Sequence, residues 1–289
     1  MIIVLTGPTG SGKSKIALSL AKKLDAAIIN ADAFQVYQEL NIATAKPSFE
    51  MRLEAPHYLF DFVPLTDAYN VAEYQADARS ALACCLEKGQ NVIIAGGTGL
   101  YIKAALYDYE FTPQKPVDMG KYEGMDNCKL HEELAKLDPV SAESIHPNNR
   151  RRVLRALEIY LSTGEPKSAI ESRQVHEPIY PAKFFCLNKE RHVLYADVEA
   201  RVDEMFAAGL LEETLPLIER YGRGVRAFNA IGVKELFPYI DGQATLEEVK
   251  ETIKKNTRNY ITRQITWFSH QFDLDWIEDE DDLLNRLNS

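Results

Sequence analysis

No stretch of this 289-residue chain approaches the 18 apolar residues in a row that a membrane-crossing helix needs. The opening apolar run in "MIIVLTG" ends after four residues, too short for a secretory leader. The chain is therefore expected to be soluble and cytoplasmic. Cysteine is scarce: Cys84, Cys85, Cys128 and Cys186 form no C-x-x-C pair, and the six histidines form no H-E-x-x-H pair. A protein-built transition-metal site is not expected. Cys84 and Cys85 fall in an alanine-rich helical segment and read as buried free thiols. Internal repeats and low-complexity tracts are also lacking.

Positive charge is short overall, and a net charge of −10 argues at first against a nucleic-acid partner. The distribution weakens that argument. Residues 271–289 hold seven acids and one base, a large share of the excess. Two stretches run the other way. "HPNNRRRVLR" (His146–Arg155) carries four arginines and no acid, and "KETIKKNTRNYITR" (Lys250–Arg263) carries five bases and one acid. Local patches matter more to a phosphate backbone than the sum over the chain.

Short β-branched runs alternate with helical patterns in the first third: "IIVLTG", "KSKIALSLAKKL", "AAIINA", a helical stretch over Val71–Lys88, then "NVIIAGG". Fully apolar strands separated by amphipathic helices predict a parallel sheet covered on both faces. The alternation stops near Phe111, where "FTPQKPVDMGKYEGMDN" has no periodicity. Helical patterning fills Leu130–Leu161 with breaks at Pro139 and Pro147, and "FFCLN" (Phe184–Asn188) returns to the sheet. Helices are expected over Leu194–Leu210, Leu246–Lys255 and Arg258–Phe268. The fold class is α/β: a P-loop NTPase-like parallel sheet with flanking helices (1–112 and 181–289), interrupted by a small all-helical insertion (113–180).

"GPTGSGKS" supplies the strongest chemical signal: Gly7, Pro8, Thr9, Gly10, Ser11, Gly12, Lys13 and Ser14, between a strand and a helix. Its glycines let backbone N–H groups and a helix N-terminus point at phosphate oxygens. Lys13 adds a cation for the outer phosphates, and Ser14 offers a hydroxyl to Mg²⁺. An acid that usually ends a second apolar strand in such proteins is missing, because "NVIIAGGTGLY" ends in Ala95-Gly96-Gly97. That disfavours a motor ATPase or a GTPase and leaves small-molecule kinases open. Gly96, Gly97 and Gly99 could be tight-turn residues, but strand ends of a parallel sheet converge on the ligand crevice. Thr98 would then face the phosphate loop. Asp32, at the end of "AAIINAD", lines the same crevice as a helix N-cap or as a general base.

These residues resemble the tRNA dimethylallyltransferases, enzymes that prenylate the adenosine 3′ of the anticodon. The phosphate loop matches at Gly7–Ser14. "DAFQVY" (Asp32–Tyr37) leads into "NIATAKP" (Asn41–Pro47), and "GGTGLY" (Gly96–Tyr101) and "NNRRRVLRALE" (Asn148–Glu158) follow. "RVDEMFAAGLLEE" (Arg201–Glu213), "IGVKE" (Ile231–Glu235) and "TRNYITRQITWF" (Thr257–Phe268) complete seven blocks in order over nearly the whole chain. The resemblance implies that the loop holds the diphosphate of dimethylallyl diphosphate, with Arg201 as a further contact. It implies Asp32 as base, Lys13 and Thr98 as catalytic groups on the diphosphate, Mg²⁺ on Ser14, and Ala33, Phe34 and Gln35 beside the extruded adenosine. It also implies that the insertion grips the anticodon stem-loop of tRNA. Arg151 and Arg155 share a helix face with Arg152 beside them, and Lys234, Arg258 and Arg263 are further RNA candidates. "QITWF" (Gln264–Phe268) reads as core packing, and a monomer is expected.

The chain departs from the family pattern in places. Ala33 stands for the usual Ser, Ala43 for Gly, Val233 for Tyr and Ile261-Thr262 for Ala-Lys, while Ser269-His270 stands where a base is common. Rival readings are prenylation of free adenine nucleotides, a small-molecule kinase, and a tRNA-binding paralogue without catalysis. A free-nucleotide enzyme has no use for the insertion's arginines, and a kinase predicts productive ATP binding.

Overall fold

The computed structural model describes residues 1–111 and 116–288. The four expected strand runs become β1 (Ile2–Thr6), β2 (Ala26–Asn30), β4 (Asn91–Ala95) and β5 (Lys183–Leu187). Two short strands join them, β3 (His57–Tyr58) and β6 (Asp275–Ile277). All six are parallel in the order β3-β2-β4-β1-β5-β6. Every residue of β1 and β2 is buried, as a sheet with helices on both faces requires.

The chain divides into two compact units, one built from residues up to Leu106 and from Tyr180 onward, the other from Tyr107 to Ile179. The sequence boundary expected at 112/113 lies outside the described residues. At the start of the second unit Tyr107 bridges Pro178 and Asp108 N–H donates to Glu177 at 2.9 Å. The first unit begins with α1 (Lys13–Leu24), α2 (Phe49–Glu54), α3 (Val71–Glu87) and α4 (Gly99–Leu106).

The second unit is helical: α5 (Gly120–Glu123), α6 (Asn127–Leu137), α7 (Pro139–Ser144), α8 (Arg150–Thr163) and α9 (Lys167–Ser172). Val153, Ala156 and Leu157 of α8 pack on Tyr122, Leu130 and Leu134. Asp138 caps α7 and also takes Ser168 N–H at 3.0 Å. Burial opposes its charge, but hydrogen bonds from Ser141 and Ser168 outweigh that and hold its carboxyl below the usual range.

The first unit continues with α10 (Arg191–Ala207), α11 (Leu210–Tyr221), α12 (Phe237–Ile240), α13 (Leu246–Gln271) and α14 (Glu280–Asn288). Where the sequence suggested two helices, α13 is one helix of 26 residues. The polar residues at the expected break are satisfied in place: Asn256 donates to Glu235 at 2.8 Å and Thr257 to the Ile253 carbonyl at 2.7 Å. The acid-rich tail is folded too. Glu280, Asp281 and Asp282 occupy the first turn of α14, where the helix dipole favours acids. Glu280 also pairs with Lys23 at 2.7 Å, and Leu283 is fully buried.

Candidate active site

The C-terminal ends of β1, β2 and β4 open onto one cleft of about 660 Å³. Thr9, Gly10, Gly12, Lys13, Ser14, Asp32, Gln35 and Arg201 all line it, so most of the expected catalytic and diphosphate residues meet there. Gly12 heads α1 in the left-handed region (φ 90°), and no side chain caps this helix N-terminus. Its first amides are left to an anion. Lys13 Nζ donates to the carbonyls of Gly7 and Pro8 at 2.9 and 2.8 Å, folding the lysine back over its own loop. Burial of the ammonium pushes its pKa down to about 8; nearby Asp32 raises it in part and Arg201 lowers it further. Ser11, 2% exposed, leaves its hydroxyl unpartnered among the described residues.

Asp32 is a turn residue and not a helix N-cap. Its Oδ1 accepts from Phe34 N–H at 2.9 Å, while the Asn30 side chain brackets its backbone at 3.0 and 3.1 Å. Burial raises the carboxyl above the ordinary aspartate range, against the opposing pull of the Phe34 N–H, Lys13 and Arg201. The expected base is thus held in place by a hydrogen bond to one oxygen. Thr98, expected to face the phosphate loop, is not among the cleft-lining residues; its Oγ1 instead accepts Ala33 N–H at 3.1 Å. The glycines around it serve close approach, since none of the three has a positive φ. A Cβ on Gly96 would lie 2.2 Å from the Ala31 carbonyl oxygen, and one on Gly99 would lie 1.8 Å from the Trp267 ring. Gly96→Ala is expected to destabilise the fold by about 1–3 kcal/mol through overpacking, read as a lower denaturant midpoint.

Gln35 donates through Nε2 to the carbonyls of Thr44 and Ala45 at 3.0 and 3.2 Å. Both amide hydrogens are spent, so its Oε1 is the atom left for a ligand. The loop supplying those carbonyls is tied down by Glu213, whose carboxylate takes N–H groups of Asn41, Ile42 and Ala43 at 2.8, 2.8 and 3.0 Å. Lys46 braces the same loop through Asp61 at 2.7 Å, its side chain 1% exposed. Sequence reasoning missed Glu213 and Lys46, although both sit inside the matching blocks. It also missed Gln264 and Tyr260, which line the cleft from α13.

The expected RNA contacts lie elsewhere. Lys234 is exposed and 4.0 Å from Glu235, Arg258 is ion-paired with Glu199, and Arg263 stacks over the Tyr260 ring at 5.7 Å. In the second unit Arg155 pairs with Glu158 at 2.6 Å, whereas Arg151 and Arg152 are exposed and form no ion pair among the described residues. Arg150 is spent on structure, donating to the carbonyls of Tyr122, Glu123 and Met125.

Residues 35–271 match the family model described as IPP transferase. The tRNA dimethylallyltransferase of Anoxybacillus flavithermus is 43% identical over 286 residues, 98% of this chain and 92% of that protein. The enzyme of the same name from Geobacillus thermodenitrificans is 42% identical, covering 96% of this chain and 90% of its own. A crystal structure of tRNA delta(2)-isopentenylpyrophosphate transferase from Staphylococcus epidermidis superposes with a TM-score of 0.74 at 36% identity, over 99% of this chain and 97% of that one. A eukaryotic dimethylallyltransferase acting on tRNA gives 0.84 at 28% identity, over 99% and 77%. The chain belongs to the IPP transferase family.

Proposed function

We propose that this protein transfers a dimethylallyl group from dimethylallyl diphosphate to N6 of the adenosine 3′-adjacent to the anticodon in tRNA. The observation that carries the reading is the pairing, in one cleft, of an anion-binding loop with the half-buried carboxylate of Asp32, and no acid at the end of β4. A loop that activates no water has no use for that acid. The N6–C1 bond forms as the C1–O bond to the diphosphate breaks, and the N6 proton passes to Asp32. The loop amides, Lys13 and Arg201 take the charge that develops on the leaving diphosphate. Gln35 Oε1 is an acceptor, suited to an exocyclic amine and unsuited to a keto oxygen. Thr98 would assist the diphosphate only after turning its hydroxyl from the Ala33 amide toward the cleft.

Ser14 stands exposed in the first turn of α1, and among the described residues no three His, Cys, Asp or Glu side chains gather to hold a metal. That donor set suits Mg²⁺, which takes few protein ligands and binds through substrate phosphates. Bound there by the Ser14 hydroxyl and diphosphate oxygens, Mg²⁺ would supply further neutralisation of the leaving group. No helix among the described residues is long and apolar enough to cross a membrane. A monomer acting in the cytoplasm fits the reading.

The inserted unit would grip the anticodon stem-loop through Arg151 and Arg152. Replacing both with alanine should weaken tRNA binding at least tenfold and flatten its salt dependence by up to about two phosphate contacts. Donor binding should be unchanged; equal tRNA affinity in wild type and variant would remove these arginines from the interface. For the function itself, labelled dimethylallyl diphosphate is offered with total tRNA, or with AMP, ADP and ATP. Label in tRNA alone supports the proposal. Label in free nucleotides favours a nucleotide prenyltransferase, and label in neither refutes the transfer.

A further inference from the structure

Gln264 is 5% exposed, a rare burial for an amide, and both ends of it are used. Its Oε1 accepts the N–H of Thr9, inside the phosphate loop, at 2.9 Å. Its Nε2 donates to the carbonyl of Gly97, next to Thr98, at 3.0 Å. The contact is tight, since a Cβ on Gly97 would fall 2.3 Å from that nitrogen. One side chain from α13 therefore joins two segments far apart in sequence, one that holds the diphosphate and one that carries Thr98. Tyr260, one turn earlier on α13, lines the cleft and turns its phenol toward Thr98 and Gln264.

From this we infer that Gln264 is a positioning residue, which holds the phosphate loop in register with the Gly97–Thr98 turn so that diphosphate and Thr98 meet in reacting geometry. The inference rests on the prenyl-transfer reading. Although Gln264 lines the cleft, its amide oxygen and nitrogen are engaged by Thr9 and Gly97, so it acts through those two residues. An apolar side chain would fill the space but orphan a partly buried N–H and a buried carbonyl. The two segments would then be free to drift, and small displacements at a reacting centre are costly.

Two variants test this against wild type in the labelled-donor assay with tRNA. Gln264→Leu removes both hydrogen bonds. Gln264→Glu keeps the acceptor for Thr9 and loses the donor to Gly97, which guards against a Leu variant that fails to fold. Each is expected to lower kcat roughly tenfold or more and to raise donor KM several-fold, with tRNA KM unchanged. Calorimetry with inorganic diphosphate should show the matching loss of affinity. On a Thr98→Ala background the kcat effect should shrink to about threefold or less, because residues acting through one another are not additive. Full multiplication of the two effects would overturn the inference, as would folded variants with wild-type kcat and donor KM. If wild type itself transfers no label, the proposed function fails first; unchanged diphosphate affinity in the variants would still refute the positioning role.

Discussion

Asp32→Asn is expected to slow prenyl transfer by about 10²–10⁴-fold, the usual worth of a general base. Asparagine is the informative replacement because it keeps the shape and an oxygen acceptor. The bond from Phe34 N–H at 2.9 Å and the Asn30 bracket survive, so the turn should hold. What disappears is the group proposed to take the N6 proton. Melting temperature and tRNA affinity should therefore stay near wild type while single-turnover rates collapse. A variant that transfers at wild-type speed would show that Asp32 is only the turn residue its hydrogen bonds also allow.

Lys13→Met is expected to cost about 10²–10³-fold in kcat/KM for the donor, in line with removal of one preorganised charge stabiliser. The pH profile carries the diagnostic part. Asp32 must be ionised to accept a proton, and burial raises its pKa, so activity falls as pH drops through that raised value. Lys13 must be protonated to hold the diphosphate, and its pKa lies at about 8, so kcat/KM falls as pH rises through that region. The wild-type profile is then a bell. Bound diphosphate stabilises the ammonium, so the alkaline limb of kcat lies at higher pH than that of kcat/KM. In Lys13→Met the alkaline limb near pH 8 should vanish from kcat/KM; a limb that persists there would assign it to another group.

Much of the site was legible because its signals are local. Gly7–Ser14 joins a strand to a helix, and Asp32 and the Gly96–Gly99 run each end a strand, so the parallel sheet brings them to one edge. Periodicity found the four five-residue strands and missed β3 and β6, which have two and three residues. A run that short has no measurable alternation, and β6 lies within the acid-rich residues 271–289. From sequence Gln264 reads as packing because its position belongs to the buried stripe of α13; nothing in a helical period distinguishes an amide bridging two loops from a core filler. Glu213 was equally silent, since an acid on a helix is ordinarily solvated and only the fold brings three backbone amides to it. Thr98 follows the end of β4, but its partner, the Ala33 amide, depends on a turn that sequence spacing does not specify. Ala33 itself keeps that amide bond, so the loss of the family's hydroxyl there leaves the backbone connection to Thr98 intact.

The central claim is transfer to one atom of one nucleoside, and nucleoside analysis reads it directly. Unmodified tRNA is treated with this protein and dimethylallyl diphosphate, then digested and examined by mass spectrometry with the position mapped by nuclease fragments. The account predicts N6-dimethylallyladenosine on the 3′ side of the anticodon, absent when Asp32→Asn replaces wild type. Unmodified adenosine at that position with active wild-type protein, or the prenyl group on another atom or nucleotide, would contradict it.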